Sequence, residues 1–306
     1  MMSDRVFHEI VNVLFLISCL FIVIPTLTIL IIILYNWHNH FRSVSNLLMC
    51  NSCICLIFLA ITYSIQTPSF IRQIYFDGSQ SSRLFCQISA CLATFSTGIV
   101  AHSCLVQAIY RFFLLILSKH KNLLTFRTNS IIILISWLIN LLIAVGMFIS
   151  PFAYQYDPES HFCTLTTHYF PTSFSISILF VFITALTLII LYGIILYQTI
   201  DQFDFNSRSR NRRNRKLFHY IIFTVSLHVL GGIPYIICLL MNRFGRAPAS
   251  LYSIEVLSLT FTSAIHSIFL FGVNRQVRQI LFRKRNQISS HPMNIRKAIQ
   301  PLPAIS

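Results

Sequence analysis

The chain has 306 residues, of which 55% are hydrophobic and 10% are charged, whereas charged residues make up about a quarter of a typical soluble domain. This composition excludes an ordinary soluble globular protein. The formal net charge of +15 points to an anionic partner, and the positions of the basic residues decide which kind.

Seven segments are each long and apolar enough to cross a bilayer, because a hydrocarbon core about 30 Å thick requires roughly 20 apolar residues in a helix. Backbone groups in lipid must bond within their own segment, so each span is predicted to be helical. We therefore predict an all-α membrane protein, a seven-transmembrane helix bundle over residues 11–272. The predicted spans are Val11–Tyr35, Asn46–Ile65, Leu84–Leu117, Thr128–Ser150, Pro171–Thr199, Leu217–Met241 and Leu251–Gly272.

The basic residues are distributed unequally between the two sides of this bundle. Of the 23 Lys and Arg residues, one side carries five, namely Arg5, Arg72, Arg83, Arg243 and Arg246, and the other side carries the rest. By the positive-inside rule the richer side is cytoplasmic. Residues 1–10 are then an extracellular N-terminus, residues 273–306 form a cytoplasmic tail, and we expect the protein in the plasma membrane.

The basic run that leads into the sixth span, Arg208–Lys216, lies in the predicted loop Asp201–Lys216 on the cytoplasmic side. Such a run attracts anionic inner-leaflet lipid with about 1 kcal/mol per basic residue near the surface. The net charge is thus explained by lipid, and no nucleic-acid partner is expected.

Two prolines lie inside predicted spans, where a missing N–H group bends a helix. Pro25 predicts a kink in the first span and Pro234 one in the sixth, where Gly231 and Gly232 add flexibility. We predict a hinge at these three residues of the sixth span. After the seventh span, residues 273–285 alternate apolar and basic residues at helical spacing, which predicts a short amphipathic helix in the inner headgroup layer. A solvated basic tail is the alternative.

Nine cysteines are present. Seven fall within predicted spans and are interpreted as small hydrophobic residues. Cys86 and Cys163 both face the oxidising outer side, where they either form a disulfide that ties down the second outer loop or remain two thiols.

Polar residues inside the spans need partners. Arg111, at the cytoplasmic end of the third span, either finds a partner there or extends to the inner headgroups. Glu255 is the one acid within the predicted spans and either contacts a ligand or pairs with Arg243 or Arg246. His228 and His266 are expected to form interhelical hydrogen bonds, as is Asn51.

No paired acids, His-rich cluster or Ser/His arrangement lies in the spans. The sequence therefore predicts no catalytic residues, no metal and no cofactor, and we do not expect an enzyme.

A cysteine that opens the third span, an Ile-x-Arg-aromatic run that closes it, Trp137 in the fourth span and Pro234 in the sixth together resemble the rhodopsin-like (class A) G-protein-coupled receptors. The likeness covers the chain from about Val11 to Arg285. It implies that Cys86 and Cys163 form the family's outer disulfide. It also implies that Tyr110, Arg111 and Phe112, with Tyr192 of the fifth span, face a heterotrimeric G protein.

The chain departs from this family's pattern at several switch positions. Tyr110 replaces the acid before the arginine, Leu56 lies where the second span has its sodium-site aspartate, and Gly231-Gly232 replace the tryptophan of the sixth span. The Asn-Pro-x-x-Tyr of the seventh span becomes His266-Ser267-Ile268-Phe269-Leu270. These differences indicate a divergent, orphan-type member.

The resemblance predicts a ligand pocket among the outer halves of spans three, six and seven. Ala93 lies where amine receptors of this family carry an aspartate, so a neuropeptide-like ligand is preferred over a monoamine. The expected function is G-protein-coupled receptor activity. A small multi-pass transporter or channel is the alternative, although it would require internal repeats and several intramembrane charges. The predicted pocket residues are Ala93, Thr94, Thr97, Cys238, Met241 and Glu255.

Overall fold

The computed structural model describes residues 2–36, 43–66, 80–117, 120–149, 153–157, 162–165, 174–175, 182–201, 208–245, 247–274 and 277–280. Seven α-helices and one two-stranded hairpin account for nearly all of these residues, so the prediction of a helical membrane bundle is confirmed. The elements are α1 (Met2–Tyr35), α2 (Val44–Ile65), α3 (Gln80–Leu115), α4 (Phe126–Phe148), β1 (Tyr154–Asp157), β2 (Phe162–Leu165), α5 (Thr184–Asp201), α6 (Arg208–Phe244) and α7 (Ala249–Val273).

Six of the seven helices are long and apolar enough to cross a membrane within the described residues. The seventh, α5, has a shorter described apolar segment, Thr184–Ile195, and most of residues 171–181, which the sequence assigned to the same span, lie outside the described part of the chain. Large apolar side chains of α4 such as Leu134 and Leu142 are more than 60% exposed, which is the expected surface for contact with acyl chains.

Two helices, α1 and α6, each begin nine residues before their predicted starts. Helix α1 begins at Met2, well before Val11. Helix α6 begins at Arg208, so the basic run predicted to lie in a loop is helical. Arg and Lys are good helix formers, and extending a helix that is already nucleated costs far less than starting one.

The core of the bundle joins α1, α2 and α7 through fully buried side chains that include Ile22, Ile29, Leu56 and Leu59. Polar pairs join α2 to its other neighbours. Ser52 contacts Ser103 of α3, the Gln107 amide donates to Ser52 Oγ at 2.7 Å, and the Trp137 indole N–H of α4 donates to Asn51 Oδ1 at 3.0 Å. The expected interhelical role of Asn51 is confirmed.

Pro25 and Pro234 lie inside continuous helices. Because proline has no N–H group, each leaves the carbonyl four residues earlier without its helical donor. Those two carbonyls, of Phe21 and Leu230, each accept a hydrogen bond from a serine hydroxyl of α7. Helix α7 therefore supplies the missing donor at both prolines.

The chain after α7 turns at Asn274, whose side-chain oxygen accepts from the Val277 N–H at 3.1 Å. This is the geometry of a helix N-cap. Val277 is fully buried and Ile280 packs against the core, so residues 277–280 begin a helical turn with its apolar face inward. The remainder of the predicted amphipathic helix, from Leu281, lies outside the described residues.

Candidate functional site

The outer hairpin was not predicted from sequence. Strands β1 and β2 are antiparallel, with Tyr156 opposite Cys163. Cys163 is bonded to Cys86 of α3, with 5.3 Å between their Cα atoms, so the predicted disulfide is confirmed. Because side chains alternate along a strand, Leu165 points the same way as Cys163, and both are buried.

A second attachment fixes the hairpin to α4. The Tyr154 phenol donates to the Ala144 carbonyl at 3.1 Å, and the residue is only 2% exposed. Burial raises the pKa of Tyr154, which keeps the phenol protonated and able to donate. The hairpin is thus held to α3 and to α4 at the outer end of the bundle.

Beneath the hairpin lies a cavity of about 160 Å³ with walls from α2, α3, α6 and α7, and Leu165 contributes from the hairpin. Along α3 the lining extends from Ala90 to Cys104, which is roughly 21 Å of helix. Most of the wall surface is apolar, with polar groups at separate places, an arrangement typical of small-molecule sites.

The cavity brings together four of the six residues predicted to line it, Ala93, Thr94, Thr97 and Glu255. The other two lie elsewhere. Cys238 is fully buried against Ala247 and Tyr252 near the outer end of α6, and Met241 is 41% exposed on the outside of the helix.

The face of α6 that lines the cavity starts deeper than the sequence predicted. Its members recur every three to four residues, which is the helical repeat that could have revealed them. The lining residues of α6 are Thr224, Leu227, His228, Gly231, Gly232 and Tyr235.

The deep end of the cavity is polar. His228 of α6 and His266 of α7 both line it, together with Thr224, Thr262 and Ser263. His266 is 7% exposed, and its Nε2 atom has no hydrogen-bond partner among the described residues. The interhelical hydrogen bond expected of His266 is therefore not made by this nitrogen.

Helices α6 and α7 are in close contact at Gly231. A Cβ atom built there would lie 2.6 Å from Thr262 Oγ1, too near for a carbon atom. The Thr262 hydroxyl is itself fixed, since it donates to the Ser258 carbonyl at 2.8 Å. Gly231 is thus required for contact between the two helices, whereas the sequence predicted only flexibility there.

The opposite end of α3 carries Arg111, which is half-buried. Its Nη1 atom donates to the Tyr192 hydroxyl of α5 at 3.4 Å, and Tyr192 is 6% exposed. Phe112 packs against the same cluster as Tyr192, and Tyr110 is half-buried beside them. Arg111 therefore contacts a neutral hydroxyl of another helix, and Tyr110 precedes it where an acid would form a local ion pair.

The described part of the chain contains no cluster of three or more His, Cys, Asp or Glu side chains that could hold a metal ion. A family model for the seven-transmembrane receptors of the rhodopsin family matches residues 26–273, which is most of the chain, from the last part of α1 to the end of α7. The chain belongs to this receptor family. No curated protein matches the receptor in a comparison of whole sequences.

Family membership makes the chain a multi-pass membrane receptor, and the alternative of a transporter or channel is not favoured. The predicted resemblance is confirmed. The receptor keeps the outer disulfide and the arginine of α3, while its seventh helix carries His266 and Ser267 where the family has asparagine and proline.

Proposed function

We propose that this receptor binds an extracellular ligand in the outer cavity and activates a heterotrimeric G protein at its cytoplasmic end. One observation carries the proposal: α3 lines the cavity with Ala93, Thr94 and Thr97 and carries Arg111 near its other end. From Cys86 to Arg111 the helix spans about 25 residues, roughly 37 Å. A single rigid element therefore connects the two sites.

The state of Arg111 supports a role in coupling. The hydrogen bond between the guanidinium group and this neutral phenol is 3.4 Å long, and hydrogen bonds weaken toward this length. Breaking this hydrogen bond separates no pair of opposite charges between Arg111 and Tyr192. A G-protein segment could therefore replace Tyr192 as a partner of the guanidinium group.

Helix α6 supplies the element that would move. Gly231, Gly232 and Pro234 lie together where α6 borders the cavity, so a ligand there touches the proposed hinge directly. A ligand can shift a two-state equilibrium only through contacts that differ between the states. Contacts between a ligand and the hinge residues change when the hinge bends, so they meet this requirement.

The proposed orientation places the N-terminus outside and the C-terminus in the cytoplasm of a cell with the receptor in its plasma membrane. The supporting argument is the excess of Lys and Arg on one side, including the run at the start of α6. The same run is proposed to contact anionic inner-leaflet lipid. Epitope tags at each end test this: only the N-terminal tag should bind antibody on intact cells.

A cell-based G-protein dissociation assay with the full-length receptor, a peptide library and a panel of Gα subunits tests coupling. We expect Arg111→Ala to abolish the response at unchanged surface expression, because the variant loses the only cation proposed to meet the G protein within α3. Arg127→Ala, a change of the same kind at an exposed residue of α4, is the matched control and should respond like wild type.

The variant Tyr192→Phe tests the role of the Tyr192 hydroxyl in the same assay. Removing the hydroxyl deletes one hydrogen bond to the guanidinium group, so we expect a response reduced several-fold but not lost. Unchanged signalling in Arg111→Ala would remove this arginine from the coupling mechanism and leave the proposal without its main support.

A further inference from the structure

We propose that the cavity selects a ligand with a hydroxyl-bearing ring, a phenol or aromatic alcohol, whose hydroxyl group binds His266 at the deep end. This inference rests on the proposed ligand-binding function and specifies its chemistry. The phenol could belong to a free small molecule or to a tyrosine side chain of a peptide.

The first argument is the state of His266. The residue is 7% exposed and lines the cavity, yet its Nε2 atom has no partner in the described residues. A buried polar atom without a hydrogen bond is costly, at about 1–3 kcal/mol. A ligand group that forms a hydrogen bond with this nitrogen recovers that free energy. His266 is therefore suited to bind a polar group of a ligand.

The second argument is the chemistry that suits this nitrogen. A neutral imidazole Nε2 either donates or accepts, depending on the tautomer. A hydroxyl group can do both, so it satisfies either tautomer, and it enters the cavity without the desolvation cost of a charged group. The neighbouring Thr224, Ser263 and His228 offer a second partner to the same hydroxyl.

The third argument is the size and lining of the remaining space. The cavity volume is about 160 Å³, and an apolar protein cavity of about 150 Å³ holds benzene. The walls next to the deep end are apolar, formed by Val100, Leu227 and Leu259 among others. A single aromatic ring therefore fits the space, and its hydroxyl meets the polar end.

Glu255 does not compete for the same ligand group. It lies 11 residues before His266 on α7, which is roughly 16 Å of helix, more than one ring can span. A small amine that binds Glu255 would leave the His266 Nε2 atom at the deep end without a hydrogen bond. The unpartnered nitrogen therefore favours a hydroxyl ligand over a cationic one.

Thermal-shift titrations of the purified full-length receptor in lipid nanodiscs test the proposal. A bound ligand stabilises the folded receptor by RT ln(1 + [L]/Kd), so at equal concentration the ligand that binds more tightly raises the unfolding temperature more. The probes are p-cresol, toluene and 4-methylbenzylamine. We expect p-cresol to bind about three- to tenfold more tightly than toluene, the gain of one net hydrogen bond. Equal affinities, or tighter binding of the amine, would overturn the inference.

Two matched variants assign the effect to one residue. His266→Phe should bind p-cresol and toluene alike. His102→Phe makes the same change at a half-buried histidine of α3 that bonds its own helix and does not line the cavity, and it should keep the preference. If His266→Phe still binds p-cresol more tightly than toluene, the assignment to His266 is wrong. If His266→Phe does not fold, the comparison of the three probes on the wild-type receptor decides the proposal.

The two sources of the phenol are separated with N-acetyltyrosinamide and its phenylalanine counterpart. Binding of the tyrosine compound, with the same dependence on His266, indicates a peptide side chain; binding of p-cresol alone indicates a free small molecule. Because these measurements contain no G protein, their failure alongside intact coupling through Arg111 would overturn only the ligand chemistry.

Discussion

The two proline sites of the bundle differ in how firmly α7 holds them. At the α1–α7 junction, the Ser267 hydroxyl lies 3.1 Å from the carbonyls of both Phe21 and Ile22, and Ser267 is fully buried. At the α6–α7 junction, the Ser258 hydroxyl meets one carbonyl, that of Leu230, at 3.3 Å, and Ser258 is only half-buried.

This difference has a consequence for movement. A buried hydroxyl shared by two carbonyls is hard to replace, because no water reaches them. A longer contact at a half-buried edge is lost at little cost. We therefore expect α1 and α7 to stay together as one rigid unit, while α6 separates from α7 more easily. A proline whose missing donor is replaced by a serine of α7 is thus part of a rigid junction in α1 and of a mobile junction in α6.

The largest effect is expected at the close contact between Gly231 of α6 and Thr262 of α7. Gly231→Ala places a methyl carbon against Thr262 Oγ1, and overpacking of this kind typically costs about 1–3 kcal/mol. Gly146→Ala in α4 is the matched control, because a Cβ there meets nothing within 4 Å. Both substitutions replace a helical glycine by alanine and gain the same helix propensity. The difference between their unfolding temperatures therefore measures the cost of the contact with Thr262 Oγ1.

A second substitution makes this prediction sharper. Thr262→Ala removes the nearest atom, and the next, Thr262 Cβ, lies 3.6 Å away, which is ordinary van der Waals contact. The double variant should therefore recover most of the lost stability. Equal unfolding temperatures for Gly231→Ala and Gly146→Ala would show that α6 and α7 do not need the glycine to pack.

The next largest effect is expected at the α1–α7 junction. Ser267→Ala leaves the Phe21 carbonyl without a donor, and we expect a loss of about 1–2 kcal/mol, near the upper end for hydrogen bonds in membrane proteins. Ser18→Ala is the control: Ser18 is also buried in this bundle, but it bonds the Leu14 carbonyl of its own helix, which already has a backbone donor.

Pro25→Ala tests the reason for that loss. Restoring an N–H group at residue 25 returns a backbone donor to Phe21, so Ser267→Ala should cost much less in this background. The measurement is a double-mutant cycle from unfolding temperatures. An unchanged cost would mean that Ser267 stabilises the bundle by packing and not by replacing the donor that proline lacks.

Much of this architecture follows from the sequence. Runs of apolar residues predict the helices because lipid offers the backbone no other hydrogen-bond partner. Pro25 and Pro234 are visible in the same way, and the disulfide is implied by two cysteines on the oxidising side together with the family resemblance. These features depend on local composition or on one clear chemical requirement.

Other features depend on which helices become neighbours, and the sequence does not state this. The serines that serve the two prolines are far away along the chain: Ser267 is 246 residues from Phe21. Cys238 and Met241 were expected in the cavity, but the way α6 packs in the bundle places residues between Thr224 and Tyr235 there instead. The pairing of Arg111 with Tyr192 likewise requires α3 and α5 side by side.

The smallest effect is expected at the α6–α7 junction. Ser258→Ala should cost about 0.5 kcal/mol, the average for an interhelical hydrogen bond in a membrane, and less than Ser267→Ala. Its functional effect is the more informative one, because removing this contact favours separation of α6 from α7. Basal G-protein dissociation should rise in Ser258→Ala at equal surface expression and stay at the wild-type level in Ser18→Ala. A loss of stability as large as that of Ser267→Ala, with no change in basal activity, would mean that both prolines are held equally firmly and that the mobile element lies elsewhere in the bundle.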